Sequence, residues 1–373
     1  MTLDFKHRSY FSEQLLAWYR RGNRDLPWRR SRDPYHIWVS EVMLQQTRVE
    51  TVIPYYHRFL ERFPTIEALA DAPEDDVLKL WEGLGYYSRA RNLQAAVREV
   101  KERYGSVVPD TPEDISTLKG VGPYTSGAIL SIAYNKPVPA VDGNVMRVLS
   151  RFFLIEDDIM KPATRKVMEK LACELIPEGA AGDFNQALME FGALVCTPRS
   201  PHCMTCPVME HCAARLEGME QELPVKKKAK PPRPERRLAA LIEGTGEQEG
   251  KVLIRQRPQE GLLARMWELP HGLAGDSAGQ EDEALAIGEL HEAMRRDGLS
   301  ITQVQPYMSA EHTFSHIHWD MQVYRCRLAA GGDLPDLLPY HYRWVGLAEL
   351  EQYALPNVFV RIFRKYFKDM PAS

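Results

Sequence analysis

The chain has 373 residues, of which 44% are hydrophobic and 26% charged, and it contains six cysteines. At about 100–200 residues per domain, this length predicts two or three domains, and the ordinary apolar fraction excludes a disordered or collagen-like chain. We find no run of about 18 apolar residues that would span a membrane, and no secretory signal at the start. We therefore expect a soluble, cytoplasmic protein, in a compartment where structural disulfides are rare.

The net charge of −4 argues at first against a polyanionic partner, but the charge is unevenly distributed. Residues 1–222 carry −4, residues 223–237 carry +6 and residues 238–373 carry −6. The middle stretch also contains four prolines. Proline and like charge together oppose compaction, so we predict an interdomain linker at 223–237 between two folded domains.

Apolar residues recur at three- and four-residue spacing in residues 1–222, as at Leu15 and Tyr19. Breaks that contain proline, such as 109–112 and 136–139, separate these stretches. The pattern predicts an all-α first domain, built of helices and loops.

Residues 238–373 instead mix strand and helix patterns, which predicts an α+β second domain. A glycine-bearing turn over 244–250 joins the first two strands. The predicted strands are 238–243, 251–257 and 321–328, and the predicted helices are 281–296 and 358–367.

Four cysteines form a C-x6-C-x2-C-x5-C run. Because the loops between them are short, bringing the four thiols together costs little conformational entropy, and the run predicts one shared metal centre. An iron–sulfur cluster accepts such unequal spacing. Zinc ribbons usually present two C-x2–4-C pairs, and here one pair is of that kind. The spacing alone therefore leaves zinc as an alternative to the cluster. The candidate ligands are Cys196, Cys203, Cys206 and Cys212. We expect the separate Cys173 and Cys326 to be buried apolar residues.

The segment LKGVGPYT at 118–125 predicts a tight turn followed by a helix that begins near Pro123. Such a turn and helix start present several backbone N–H groups in one direction, and DNA phosphate is a candidate ligand for them. The alternative is a plain loop between two helices, and the two glycines alone do not decide between these readings.

Two acidic residues are candidates for acid–base chemistry. Glu41 lies on a predicted helix over 37–48 with mostly apolar neighbours, so burial should raise its pKa toward neutrality and suit it as a general acid. The alternative is an exposed glutamate on an amphipathic helix. Asp142 precedes a predicted helix over 145–153 and has the pattern of an N-cap, which we expect to keep it ionised.

In this order the motifs resemble the helix–hairpin–helix DNA glycosylases, which combine LxGVGxxT, an aspartate about twenty residues later and the same four-cysteine run. Bifunctional members similar to endonuclease III carry a catalytic lysine where this chain has Tyr124, and tyrosine cannot form a Schiff base. The resemblance is therefore closer to adenine DNA glycosylases of the MutY type, with a bifunctional glycosylase–lyase as the alternative. The matching segments are RDLPWR (24–29), WVSEVMLQQTR (38–48), EGLGYY (82–87) and FSH (314–316).

The resemblance implies that the chain flips and hydrolytically excises adenine opposite 8-oxoguanine, and opposite guanine, in duplex DNA. It implies that Glu41 protonates N7 of adenine and that Asp142 stabilises the oxocarbenium-like sugar. Tyr124 and Asn144 would position the sugar and the water. The implied adenine pocket is Arg24, Trp28, Arg29 and Gln186, and the implied DNA contacts are Gln46 as wedge, Thr47, Tyr86 near the opposite base, Lys119, Gly120, Val121 and Gly122.

The resemblance also implies one 4Fe–4S cluster on the four cysteines and a monovalent cation at the hairpin. The segment LLARMWELPHG (262–272) resembles the stretch before the Nudix catalytic box. When Glu289 is aligned with that box, Glu292 also fits, but too few carboxylates remain for a magnesium-dependent hydrolase; the departures are Ala274, Gln280, Gly288 and Ala293. We expect a Nudix-like module that reads 8-oxoguanine through Phe314, Ser315 and His316, in a monomeric, nucleoid-associated protein.

Overall fold

The computed structural model divides the chain into two compact units, residues 1–72 with 89–228 and residues 73–88 with 229–373. The second unit therefore includes a short stretch that the sequence placed in the first domain. No helix among the described residues is long and apolar enough to cross a membrane. The residues described are 5–227, 230–275, 283–329 and 341–370.

Helices and loops form the described residues as far as 222, which confirms the all-α prediction. Prolines in the first turn and side-chain caps mark several helix starts; Asp33, for example, accepts a hydrogen bond from the Tyr35 amide at 2.8 Å. The helices are α1 Phe5–Gly22, α2 Pro34–Leu44, α3 Val49–Arg62, α4 Ile66–Asp71, α5 Glu74–Leu80, α6 Ser88–Tyr104, α7 Pro112–Ile115, α8 Pro123–Ile132, α9 Gly143–Phe152, α10 Pro162–Leu175, α11 Ala181–Leu194 and α12 Ala213–Glu217.

Helix α2 is shorter than predicted. It ends at Leu44, and Gln46 adopts a left-handed φ of 58°, so the residues at 45–48 form a loop rather than a last helical turn. The predicted start of α8 at Pro123 is confirmed, with Gly120 in the left-handed turn before it at φ 78°.

An apolar core joins α1, α9, α10 and α11. The expected burial of Cys173 is wrong, because its thiol lies on the exposed side of α10, beside the buried Ala172. Cys326, in the second unit, is buried as expected.

The second unit contains a four-stranded and a three-stranded sheet. Their orders are β4-β1-β6-β5 and β3-β2-β7, and β1 and β6 are parallel. The strands are β1 Arg233–Ile242, β2 Val252–Gln256, β3 Trp267–Glu268, β4 His271–Leu273, β5 Ile301–Thr313, β6 Ile317–Leu328 and β7 Tyr342–Val345, and the helices that follow the linker are α13 Glu283–Arg296 and α14 Asn357–Asp369.

Strand β1 begins inside the stretch that we predicted as linker. Residues 233–237 pair with 317–321 of β6, so backbone hydrogen bonding to a neighbouring strand outweighs the repulsion between the like charges. The extended backbone that proline favours is compatible with this strand. Alternate β1 residues face two cores, one with α14 and the other with α13. A mixed sheet covered by a helix on each face confirms the predicted α+β class.

Candidate active site

A single pocket in the first unit collects the candidate catalytic and adenine-pocket residues. Its empty volume is about 770 Å³, including the open space at its mouth. The candidates that line it are Arg24, Trp28, Arg29, Glu41, Thr47, Tyr124, Asp142, Asn144 and Gln186, together with residues that include Ser40, Met189 and Glu190.

Glu41 lies on α2, which is buried along most of its length. Its residue is only 5% exposed. Burial raises the pKa of Glu41 to about 7, although the Tyr124 hydroxyl, which donates to Glu41 Oε2 at 2.5 Å, acts in the opposite direction. The carboxyl is therefore half-protonated near neutrality and can give up a proton within the pocket.

Tyr124 lies in the first turn of α8, where the hairpin directs its side chain toward Glu41. Burial raises the pKa of Tyr124 well above its usual range, so the phenol remains a proton donor. Its oxygen also lies 3.3 Å from Met189 Sδ. The tyrosine therefore joins α2, α8 and α11 at one point.

Asp142 is the N-cap of α9, as predicted. Its Oδ1 accepts from the Val145 amide at 2.8 Å, and its Oδ2 accepts from Asn144 Nδ2 at 2.8 Å. Burial nevertheless raises the pKa of Asp142, opposed by these hydrogen bonds and by Arg147. The shift is thus opposite to the one expected from capping alone, because desolvation outweighs the cap.

Asn144 is held from both sides. It donates to Asp142 and accepts from Arg147 Nη2 at 2.9 Å, while Arg147 also donates to the Gly192 carbonyl at 2.7 Å. A Cβ on Gly192 would lie 2.7 Å from Asn144 Cβ. Glycine at this position therefore lets α11 approach the start of α9.

Glu190 is a pocket residue that the sequence analysis missed. Its carboxylate is fully buried and accepts from Arg24 Nη2 at 2.7 Å and from Arg29 Nη2 at 2.8 Å. Burial acts to raise the pKa of Glu190, but hydrogen bonds from both arginines lower it to about 2. The available signal was its position one helical turn after Gln186 within an apolar stretch.

The ion pairs with Glu190 change the interpretation of the predicted adenine pocket. Arg24 and Arg29 line it, but both pair with the single Glu190 carboxylate, which compensates one of their two positive charges and leaves the pair with one net positive charge and their remaining N–H groups. Trp28 is buried edge-on against Tyr56 at 5.6 Å, and Gln186 Nε2 donates to the Gly182 carbonyl at 3.3 Å.

The loop after α2 contains the predicted wedge Gln46, which is exposed, and Thr47, which lines the pocket. Arg89, which the sequence analysis also missed, fixes this loop. Its Nη1 donates to the carbonyls of Val42, Met43 and Gln45 at 2.8, 3.0 and 2.6 Å. A cation at the carboxyl end of a helix is favourable, and it satisfies the carbonyls that the end of the helix leaves open.

The glycine hairpin before α8 presents the residues predicted to contact DNA. Val121 is buried and closes the turn by donating to the Leu118 carbonyl at 3.1 Å, while Lys119, Gly120 and Gly122 are exposed. A Cβ on Gly120 would lie 2.7 Å from Asn92 Cβ. The hairpin therefore requires glycine both for its φ and for its space.

The four candidate cysteine ligands line a second pocket of the first unit, with an empty volume of about 400 Å³. Arg151 Nη1 donates to Cys196 Sγ at 3.3 Å, a contact suited to a thiolate. In the part of the chain that the structure describes, no three ligand-type side chains meet closely enough to hold a single metal ion. The four thiols line one pocket, as ligands of one shared metal centre would.

Residues 314–316, here called the 314–316 loop, connect β5 and β6 in the second unit. Phe314 packs on Trp319 with ring centroids 4.8 Å apart, whereas Ser315 and His316 are exposed. Ser315 Oγ donates to Tyr86 Oη at 3.4 Å. The structure thus brings together two candidate residues that are far apart in the sequence.

The residues aligned with the Nudix box take structural partners. Glu289 Oε2 accepts from the Gly275 amide at 3.0 Å, and Glu292 pairs with Arg296 at 3.1 Å. Ala274, Gly288 and Ala293 supply no carboxylate, and Gln280 lies outside the described residues.

Three families match parts of the chain. Residues 39–177 match the HhH-GPD superfamily base excision DNA repair proteins, and residues 196–212 match the iron–sulfur binding domain of endonuclease III. Residues 244–365 match the NUDIX domain. The chain therefore combines a helix–hairpin–helix glycosylase, an iron–sulfur module and a Nudix-like domain.

Relatives cover nearly the whole chain. The adenine DNA glycosylase of Homo sapiens is 37% identical over 99% of this chain and 76% of its own length. That of Schizosaccharomyces pombe is 33% identical over 95% and 88%. Among solved structures, a thermostable thymine-DNA glycosylase is 32% identical with a TM-score of 0.53, over 57% of this chain and 98% of its own. A non-covalent endonuclease III–DNA complex at 23% identity, TM-score 0.51, covers 58% and 99% and supports the fold.

We predict that Cys206→Ser lowers the iron content of the purified protein and reduces its free energy of unfolding by more than about 2 kcal/mol, because lost metal ligation is among the few large single-residue effects. Iron analysis, visible absorbance and thermal unfolding measure this. The matched control is Cys173→Ser, at an exposed cysteine outside the run. Equal iron content and stability in both variants would contradict the ligand assignment.

Proposed function

The chain belongs to the adenine DNA glycosylases, and from this premise we propose that it flips adenine out of A:8-oxoguanine and A:G pairs and excises it by hydrolysis without lyase chemistry. The observation that carries the proposal is the buried Glu41 carboxyl, with a pKa of about 7, in one pocket with Asp142. Two carboxyl groups whose surroundings differ are suited to two separate roles.

Glu41 is the general acid in this proposal. Adenine leaves C1′ as a poor anion unless a ring nitrogen is protonated, and a carboxyl with a pKa near the working pH transfers its proton efficiently. Glu41 would protonate N7 of the flipped base. Tyr124 donates to Oε2, which favours Oε1 as the oxygen that carries the transferable proton.

Asp142 stabilises the oxocarbenium-like sugar that forms as the base leaves. Hydrogen bonds from Val145 and Asn144 favour its ionised form against the effect of burial. Asn144, fixed by Arg147, and Tyr124 would position the sugar and the attacking water. Tyr124 stands where bifunctional relatives carry lysine, and a phenol forms no Schiff base.

The remaining candidate residues would contact DNA. The exposed hairpin of Lys119, Gly120 and Gly122 would hold a backbone phosphate through its amides, with a monovalent cation beneath it. Gln46 would fill the space that the flipped base leaves. In the second unit, Ser315 and His316 would read 8-oxoguanine beside Tyr86, with Phe314 supporting the loop from the core side.

We assign the cofactor as one 4Fe–4S cluster on Cys196, Cys203, Cys206 and Cys212. Their common pocket and the thiolate-directed Arg151 support this. The cluster would supply a rigid crosslink at the end of the helical unit. We further propose a monomer that acts on duplex DNA in the cytoplasm, at the nucleoid in a bacterial cell.

Single-turnover cleavage of A:8-oxoguanine, A:G and A:C duplexes tests the function. We expect adenine release to be fastest opposite 8-oxoguanine, and we expect Glu41→Gln to slow it by about 10²–10⁴, the usual contribution of a general acid. Release that survives Glu41→Gln would contradict the mechanism. A covalent complex trapped by borohydride on the same duplexes would show the bifunctional alternative.

The contact between Tyr124 and Glu41 predicts the pH profile. Adenine release needs protonated Glu41, so the rate should fall as the pH rises through about 7. Because the Tyr124 bond lowers the pKa of Glu41, Tyr124→Phe should move this alkaline limb upward by about one pH unit, the equivalent of a bond worth about 1.5 kcal/mol. Tyr134→Phe, outside the pocket, serves as control. An unchanged limb in Tyr124→Phe would exclude the coupling.

A further inference from the structure

An open groove in the second unit lies beside the 314–316 loop. It has about 1060 Å³ of empty volume, between the end of the β5–β6 hairpin and α14. Thr313 and His318, which pair across the hairpin, form one wall. Arg361 and Arg364 of α14 form the other.

The cations of this groove have little internal compensation. Arg361 and Arg364 are exposed one helical turn apart; Arg361 Nη2 donates to the Glu311 carbonyl oxygen at 2.6 Å. Arg364 makes no hydrogen bond or ion pair with any residue that the structure describes. The carboxylate of Glu311 lies 4.0 Å from His318 and its side chain is 73% exposed. Both guanidinium groups therefore remain available to an external anion.

We propose that Arg361 and Arg364 bind backbone phosphates of the DNA strand that carries the base opposite adenine. Each DNA strand places a phosphate about every 3.4 Å along the axis, so a strand whose base is held at residues 314–316 continues past the adjoining groove. Arginine suits this role because its planar fork matches a phosphate bidentately. This proposal rests on the proposed function, since it assumes that the loop holds that base.

The test is the salt dependence of binding of the full-length protein to an A:8-oxoguanine duplex. Each lost phosphate contact should reduce the magnitude of the slope of log K against log salt by about 0.9. We therefore expect the double variant Arg361→Gln/Arg364→Gln to have a slope smaller in magnitude by the equivalent of one to two phosphate contacts. Arg295→Gln/Arg296→Gln on α13 removes the same charge from the opposite face of the sheet and should leave the slope near that of wild type.

Equal slopes in the two double variants would overturn the proposal, because any change in slope would then follow from the loss of positive charge and not from a phosphate contact in the groove. The measurement needs no catalysis. If the wild type releases no adenine from any pair, the proposed function fails while the slopes still decide whether the groove binds phosphate.

A second, independent observation concerns residues 73–88 of the same unit. Three residues in this stretch have left-handed φ: Gly83 at 100°, Gly85 at 71° and Tyr86 at 48°. For tyrosine this conformation is strained and persists only when its surroundings enforce it, which is typical of functional sites. A hydrogen bond within the stretch helps to hold this conformation, since Trp81 Nε1 donates to the Gly85 carbonyl at 3.2 Å.

Glu82 ties this strained turn to the stretch before α14. Its Oε1 accepts from the Leu355 amide at 2.8 Å, and its Oε2 accepts from Lys79 Nζ at 2.6 Å. Lys79 Nζ also donates to the Tyr353 carbonyl at 3.1 Å. The carboxylate is about one-fifth exposed, so these charge-assisted bonds are only partly screened.

From these bonds we infer that Glu82 is a positioning residue that sets where Tyr86 stands beside Ser315, and thereby how strongly 8-oxoguanine is preferred over guanine. Its effect passes through four residues of chain to the Tyr86 phenol, 3.4 Å from Ser315 Oγ. This inference also rests on the proposed function.

We expect Glu82→Ala to lower the ratio of single-turnover rates on A:8-oxoguanine and A:G duplexes, and Glu82→Gln to restore part of it because an amide oxygen still accepts from Leu355. Asp75→Ala, an exposed carboxylate of α5 that lies 3.7 Å from Arg265, is the matched control. An unchanged ratio, or equal slowing on both duplexes, would overturn the inference.

Hydrogen exchange of the DNA-free protein tests whether Glu82 holds this turn, independently of whether the proposed function is correct. Glu82→Ala should speed exchange at Leu355 and at residues 83–86, and Asp75→Ala should not. Unchanged exchange would show that Glu82 does not hold the turn, whatever the substrate preference is.

Discussion

The rest of the site depends on a carboxyl group kept inside a helical core. Desolvation is what raises the pKa of Glu41, and it requires α2 to be covered on nearly every side. Packing around α2 therefore sets the pKa of this carboxyl as well as stabilising the fold. The Tyr124 hydroxyl then limits the rise, so the carboxyl titrates near neutrality instead of remaining permanently protonated. Asp142 shares the pocket but has backbone and amide donors, and the two acids are differentiated by their donors as much as by burial.

Local sequence signals predicted the parts of the molecule that local chemistry determines. The start of α8, the Asp142 cap, the helical pattern of the first unit and three strands of the second, β1, β2 and β6, follow from residues close together in the chain. Strand β5 was not predicted. The predictions that were wrong or incomplete concern features that depend on residues far away in the sequence. The early end of α2 depends on Arg89, more than forty residues away, and the exposure of Cys173 depends on which side of α10 meets the core. Glu190 escaped notice because its two arginine partners lie about 160 residues earlier.

The second unit illustrates the same limit on a larger scale. Proline and positive charge at 223–237 indicate an extended chain, and extended backbone is also what a strand needs; pairing with β6 decides between the two. The inclusion of residues 73–88 in this unit could not be read from composition, since Pro73 and the three acidic residues after it also have the ordinary pattern of a helix start within an all-α domain. It follows from individual bonds, such as that between Glu82 and Leu355.

The anchoring of the 45–48 loop by Arg89 has an entropic consequence. A loop that inserts into DNA would ordinarily lose conformational freedom at the moment of binding, which weakens affinity. Here one guanidinium holds the Gln45 carbonyl of the loop and the Val42 and Met43 carbonyls at the end of α2 before any DNA arrives, so the backbone next to Gln46 is already held in place. If this loop inserts as proposed, its ordering takes place during folding, and more of the binding free energy would be left to separate adenine from its partner.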